Sequence, residues 1–203
     1  MTRSLPAEDR DLRAGAWQRT VGRDLRGARL GVVGLGGVGS RVAQVGVAFG
    51  MDVVAWSAHL DPEHAQVLGV TSVSKRELLT TSDVVTLHVR LSPRTIGLIG
   101  LIGADELALM RPDALLINTS RAPVVDEPAL LAALHAGTLG GAALDVHLTE
   151  PLPTDSPWHS APRTVLTPHL GYVTAGTYEI FYRDALGDIL AYASGDPVRV
   201  LTP

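Results

Sequence analysis

Hydrophobic positions in this chain alternate between short continuous runs and spaced stripes, and the alternation begins at residue 30. Leu30 to Val33 is a short apolar run that ends in Gly34-Leu35-Gly36-Gly37-Val38-Gly39. Val38, Val42, Val45 and Phe49 then recur at three- and four-residue spacing, the stripe of a helix, until Gly50 interrupts it. A second run, Val53 to Trp56, follows at once, so the pattern predicts strand, glycine turn, helix, strand. Asp61 to Leu68 reads as a short helix. Ser74 to Thr80 reads as another, with Ser74 and Glu77 spaced as a capping box. Val84 to Leu87 and Leu115 to Ile117 are apolar runs bounded by polar or proline signals, which predicts strands. Between them Ala104 to Met110 reads as helix, ended by Arg111-Pro112. Asp126-Glu127-Pro128 opens a helix over Ala129 to Ala136, and Gly137 ends it. Gly140 to Leu144 and Thr164 to Leu166 are further strands, and Tyr172 to Ala193 is the longest helix. The tandem Leu98-Ile99-Gly100-Leu101-Ile102-Gly103 is too short for a repeat architecture and reads as a local insertion in a loop or helix start.

Strands alternating with helices imply an α/β fold with a doubly wound parallel sheet, Rossmann-like, closed by a long C-terminal helix. The expected divisions are a helical lead-in over 1–26, a dinucleotide-binding domain over 27–172, and the helix and tail over 173–203. In such sheets ligands lie beyond the carboxyl ends of the strands. That rule selects four polar clusters that follow predicted strands: His88-Val89-Arg90, Asn118-Thr119-Ser120-Arg121, Asp145 to Glu150, and Thr167-Pro168-His169. All four are expected to line one crevice.

The glycines have separable tasks. Gly34 permits the tight turn, Gly36 lets backbone approach a pyrophosphate, and Gly39 lets the helix pack closely on the strand. The helix start at Gly37 and Val38 offers unpaired N–H groups and a partial positive charge. A glycine turn also serves close packing alone, so the motif by itself leaves both readings open. An acidic residue about 20 positions on commonly bonds the ribose hydroxyls; here the second strand ends at Ser57.

Composition narrows the classes. At 203 residues and 46% hydrophobic content the chain supplies one sizeable core. A net charge of −4 with acids and bases interspersed gives no stripe for nucleic acid and no polybasic run for a membrane surface. There is no cysteine, which excludes disulfides, thiolate metal sites and cysteine nucleophiles. No stretch resembles a signal peptide or reaches the roughly 18 apolar residues of a spanning helix. The expectation is a cytoplasmic protein with small-molecule partners and no metal.

Three side chains suggest acid/base chemistry. Arg121 follows an apolar strand, and its planar fork of donors suits a carboxylate or the oxygen of an α-keto acid; a surface arginine paired with a nearby acid fits the position equally. Glu150 precedes Pro151 in a proline-rich loop, where a solvated acid is the ordinary reading. His169 stands between Pro168 and Leu170-Gly171, and a lone histidine is more often structural. Taken together they make a stronger case. A histidine held against a carboxylate favours its protonated form, which makes it a proton donor to a carbonyl and an acceptor from an alcohol.

Gly34 to Gly39, Asn118-Thr-Ser-Arg121, Leu144-Asp-Val146 through Glu150-Pro-Leu-Pro153, and Thr167-Pro-His169 together resemble the cofactor domain of the D-isomer-specific 2-hydroxyacid dehydrogenases, in that family's order and over nearly the whole chain. The resemblance implies that Arg121 binds and polarises the substrate, His169 is the acid/base, and Glu150 orients it. It implies that Gly34, Gly36, Gly37, Val38, Gly39, Ser57, Val89, Thr119, Ser120, Arg121, Asp145 and His169 contact the cofactor, Asp145 at the carboxamide. Hydride would pass between nicotinamide and a small 2-hydroxy or 2-keto acid. The similar formate dehydrogenase branch carries glutamine where Glu150 stands, which favours hydroxy acids.

Three departures qualify what the resemblance implies. Ser57 replaces the usual aspartate and removes a carboxylate that would repel a 2′-phosphate, so NAD and NADP both stay open, with His59 nearby and no arginine immediately following. Arg90 stands where many members have proline. Members also carry a substrate-binding domain ahead of the cofactor domain, and this sequence starts just before the cofactor domain, so the activity of the chain alone is left open. The family forms dimers through its cofactor domains, which implies a homodimer. The alternative reading is a catalytically inactive NAD(P)-sensing module of the same fold.

Overall fold

The computed structural model describes residues 1–90 and 101–201, so Leu98 to Gly100 of the tandem lie outside the described residues. Leu101 and Ile102 are buried, and Gly103 caps the helix that follows. The chain divides into two compact units, Met1–Pro168 and His169–Pro203.

In the first unit the elements run α1 (Leu5–Arg13), β1 (Arg29–Val33), α2 (Gly37–Ala48), β2 (Asp52–Trp56), α3 (Pro62–Val67), β3 (Thr71–Ser72), α4 (Lys75–Thr81), β4 (Val84–Leu87), α5 (Ala104–Leu109), β5 (Leu115–Asn118), α6 (Glu127–Ala136), β6 (Gly141–Leu144) and β7 (Thr164–Leu166). Single 3₁₀ turns lie at Ala122–Val124 and Pro157–Ser160. The strand order is β3-β2-β1-β4-β5-β6-β7, and every pairing is parallel. This is the expected Rossmann-like doubly wound sheet, and its order reverses between β1 and β4. The two-residue β3 escaped the sequence reading because Thr71 and Ser72 are both exposed and carry no apolar signal.

Both faces of the sheet are covered, and the side-chain alternation of each strand divides the core. Val32, Val53, Ala55, Val84 and Leu115 pack on one face with Ala43 of α2 and Ala65 of α3. Val33, Val54, Val85 and Leu116, one position along their strands, pack on the other with Leu78 and Leu79 of α4, Leu107 of α5, and Leu130 and Leu134 of α6. Polar side chains fix the helix starts. Asp61 accepts from the Glu63 N–H, Ser74 from Glu77, and Asp126 from Ala129.

One stripe points the other way from its hydrophobicity. Val38, Val45 and Phe49 of the α2 region are 64%, 54% and 58% exposed, and the sheet side of the helix is Gly39, Ala43 and Gly46. The reason is closeness: a Cβ on Gly46 would lie 2.6 Å from the Leu30 side chain, and one on Gly39 would overlap the Gly34 carbonyl. Small residues are what allow α2 to lie this near β1.

Within the second unit, α7 (Ala175–Ala193) is capped by Thr174, whose hydroxyl accepts from the Thr177 N–H. Tyr172 stacks on Phe181, with ring centroids 6.3 Å apart. No helix among the described residues is long and apolar enough to cross a membrane.

Candidate active site

The order reversal between β1 and β4 opens a crevice at the carboxyl ends of the strands, and β1 delivers the glycine turn to it. Gly34 takes φ +95°, the left-handed region, and a side chain there would strike the His88 carbonyl. Added Cβ atoms at Gly36 and Gly37, by contrast, would meet nothing within 4 Å. Backbone therefore lies bare over open space at the start of α2, a cradle that side chains would fill and that a pyrophosphate fits.

A cleft of about 720 Å³ begins at this cradle, lined by Gly36, Gly37, Val38, Arg41, the β4 end from His88 to Arg90, and Thr119 to Arg121 after β5. The glycine turn, Val89, Thr119, Ser120 and Arg121 are thus brought together. Arginines 41, 90 and 121 all line it, and none of its described lining residues carries a carboxylate. Burial lowers the His88 pKa, so its ring stays neutral, and its Nε2 lies 3.0 Å from the Thr86 hydroxyl. With three arginines in its lining, the cleft suits an anionic ligand.

Asn118, 1% exposed, holds the Arg121 turn in shape. Its Oδ1 accepts from the Ser120 N–H and hydroxyl, and its Nδ2 donates to the Arg121 carbonyl at 3.0 Å. The Arg121 side chain is exposed and donates to the Ser120 carbonyl at 2.7 Å. Sequence reading quoted Asn118 without giving it a task, although asparagine at a strand end before a polar turn is the signal for this kind of side-chain bridge. Arg41 was also missed; it lies one helical turn beyond Gly37, the spacing that shares a face.

Asp145 and Glu150 follow β6. Asp145 is buried, and its carboxylate accepts from the Thr167 hydroxyl at 2.6 Å. Glu150 is exposed, and its Oε1 accepts from the His147 N–H at 2.9 Å. His169 opens the second unit with φ +54°, and its ring meets that of Tyr172 edge-on at 5.4 Å.

At the end of β2, the Ser57 hydroxyl accepts from the Leu35 N–H at 3.0 Å, so the residue in the acidic position braces the glycine turn. The Ser40 hydroxyl donates to the Leu35 carbonyl and lies 3.2 Å from His64 Nε2. His59 is exposed. No cluster of metal-ligating side chains occurs among the described residues.

The sequence profile described as "D-isomer specific 2-hydroxyacid dehydrogenase, NAD binding domain" matches residues 1–171. The chain belongs to this family. It is 39% identical over 199 residues to the D-3-phosphoglycerate dehydrogenase of Archaeoglobus fulgidus, covering 97% of this chain and 37% of that protein. A D-3-phosphoglycerate dehydrogenase-like oxidoreductase structure from Ralstonia solanacearum superposes with a TM-score of 0.92 at 35% identity, over 100% of this chain and 62% of that one. The D-lactate dehydrogenase of Aquifex aeolicus, solved with NAD and lactic acid, superposes with a TM-score of 0.81 at 32% identity, over 96% and 62%. The chain thus spans between about a third and two thirds of the length of these relatives.

Proposed function

We propose that this chain is the cofactor-binding portion of an NAD(P)-dependent oxidoreductase that interconverts small 2-hydroxy and 2-keto acids in the cytoplasm. The observation that carries the reading is the carboxylate-free cleft in which the bare glycine turn meets Arg121. Gly36, Gly37 and Val38 would hold the pyrophosphate through backbone N–H groups; Val89, Thr119, Ser120 and Asp145 would serve the nicotinamide half. When bound, the nicotinamide supplies the hydride. The Arg121 guanidinium takes the substrate carboxylate and draws charge from the neighbouring carbonyl. His169 gives its proton to that carbonyl oxygen as the alcohol forms, and takes it back in the reverse direction. Glu150 is assigned the task of orienting the His169 ring.

Two finer assignments go with this reading. Ser57 admits NADP as well as NAD. No carboxylate stands between Ser57 and Leu60, and Asp61 is committed to the α3 cap. The protein is a homodimer, a reading supported by the outward apolar face of α2.

Oxidation of NADH and NADPH with glyoxylate, pyruvate and hydroxypyruvate tests the activity, with His169→Asn as the variant. Turnover that His169→Asn abolishes, with cofactor affinity unchanged, is expected. Micromolar cofactor binding with no turnover of any acid would assign the chain to sensing instead. Sedimentation of wild type and Val45→Glu tests the dimer; a monomeric wild type would remove it.

A further inference from the structure

His147 is a buried titratable residue that the reading above does not use. It lies three residues past the end of β6, between Asp145 and Glu150 in sequence, and is 9% exposed. Its Nε2 stands 3.1 Å from the Thr167 carbonyl oxygen. A carbonyl only accepts, so Nε2 carries a proton. In the neutral ring Nδ1 is then a bare lone pair, and it has no partner among the described residues. An imidazole sealed in with one nitrogen unmatched is costly relative to an apolar ring of the same volume. The contact made by the other nitrogen is therefore where a reason for a histidine here is to be sought.

That contact joins two loops that bear site residues. The Thr167 hydroxyl donates to Asp145, the Thr167 N–H donates to the Leu144 carbonyl, and the Thr167 carbonyl receives His147. Thr167 is thus gripped at three polar atoms by residues 144 to 147. The backbone N–H of His147 meanwhile donates to Glu150 Oε1. A single residue ties the Glu150 carboxylate through its backbone and Thr167, two residues before His169, through its ring.

We propose that His147 is a positioning residue for the acid/base chemistry: it sets the Glu150 carboxylate and the Thr167 carbonyl in one register at the end of β6. The proposal rests on the reading of Glu150 and His169 as the proton-handling pair, and its test separates the two. Long-range nitrogen–proton NMR of the full chain, with the His147 signals assigned by their loss in His147→Gln, reads the ring directly. A pyrrole-like Nε2 and a pyridine-like Nδ1 are expected; a proton on Nδ1 in place of Nε2 overturns the proposal whether or not the chain turns over. Kinetics supply the second arm, with glyoxylate as acceptor. His147→Phe keeps the ring volume and loses the donor, and kcat should fall about 10-fold with KM and the NADH dissociation constant within twofold. His147→Gln, which places an N–H donor at similar reach, should recover most of the loss. Full activity in His147→Phe, or equal loss in the phenylalanine and glutamine variants, overturns the proposal. Loss of wild-type turnover altogether counts against the proposed reaction, and the tautomer still decides the contact.

Discussion

Substituting Gly39 and Gly36 separately distinguishes the two tasks that a glycine turn combines. In Gly39→Ala the new Cβ would lie 1.9 Å from the Gly34 carbonyl oxygen, where ordinary contact starts at 3.4 Å. The obstacle is backbone, so α2 must retreat from β1 by about 1.5 Å, and such overpacking costs ~3 kcal/mol, the upper end of the usual range. Alanine returns ~1 kcal/mol through its better helix propensity. A net loss of about 2 kcal/mol corresponds to a fall in Tm of roughly 4–8 °C for a chain of this size. Gly36→Ala should behave in the opposite manner. Gly36 has φ −81° and ψ −165°, a conformation any residue adopts, and its Cβ meets nothing. Its Tm should match wild type, but the methyl group occupies the cradle, and the NADH dissociation constant should rise at least about 10-fold, equivalent to ~1.4 kcal/mol. Differential scanning calorimetry and fluorescence titration with NADH measure both quantities. A Gly39→Ala protein with wild-type Tm would refute the packing argument, and a Gly36→Ala protein that binds NADH normally would refute the placement of the pyrophosphate.

Asn118→Ala leaves the Arg121 carbonyl and the Ser120 N–H without their buried partner, so chemical denaturation should report a loss of about 2–4 kcal/mol. Ser57→Asp should weaken NADPH binding by at least about 10-fold while leaving NADH within threefold, because a carboxylate repels a 2′-phosphate and accepts from ribose hydroxyls; equal affinities in paired titrations would discount Ser57 as the selector. Leu116→Ala removes a fully buried side chain from the sheet centre and should cost about 2–5 kcal/mol in urea unfolding. Stability should fall on acidification in two stages. Burial depresses the His88 pKa below 6.5, so its contribution is complete above that value and is lost as pH falls towards its folded pKa. Burial alone would raise Glu106, but the Lys75 ammonium and the Gly103 N–H outweigh it and hold the carboxyl below 4.5, so its contribution is lost at lower pH still. Urea midpoints between pH 2 and 8 check this, and His88→Gln should flatten the upper stage only.

The architecture was legible because the strands that cross the sheet centre are predominantly apolar and the starts of α3, α4 and α6 carry their own capping residues, Asp61, Ser74 and Asp126. Hydrophobicity alone misled at α2. Its valine stripe has helical spacing, yet the sheet-facing side is set by which residues are small enough, and smallness next to a strand is a statement about distance that a one-dimensional pattern does not hold. The site divides in the same way. Residues whose task depends on lacking a side chain, Gly34 for its left-handed turn and Gly39 for its closeness to the Gly34 carbonyl, announce it by being glycine. Residues whose task depends on a partner brought from another strand do not: nothing around Ser57 states that its hydroxyl braces Leu35, and nothing around His147 states that its ring reaches Thr167, twenty residues on.

The same distinction bears on cofactor choice. An aspartate at the end of β2 is readable from sequence as a ribose ligand because a carboxylate there has one obvious use. A serine has two, bracing the turn or meeting the ligand, and the structure engages the hydroxyl oxygen as the acceptor for Leu35 N–H. The hydroxyl proton remains the donor a phosphate can use, so bracing the turn and admitting a 2′-phosphate are compatible in one side chain. Ser57→Ala separates them: it should lower the affinity for NADH and NADPH together through the loosened turn, and for NADPH further through the lost donor. An equal loss for both would leave Ser57 as a brace alone.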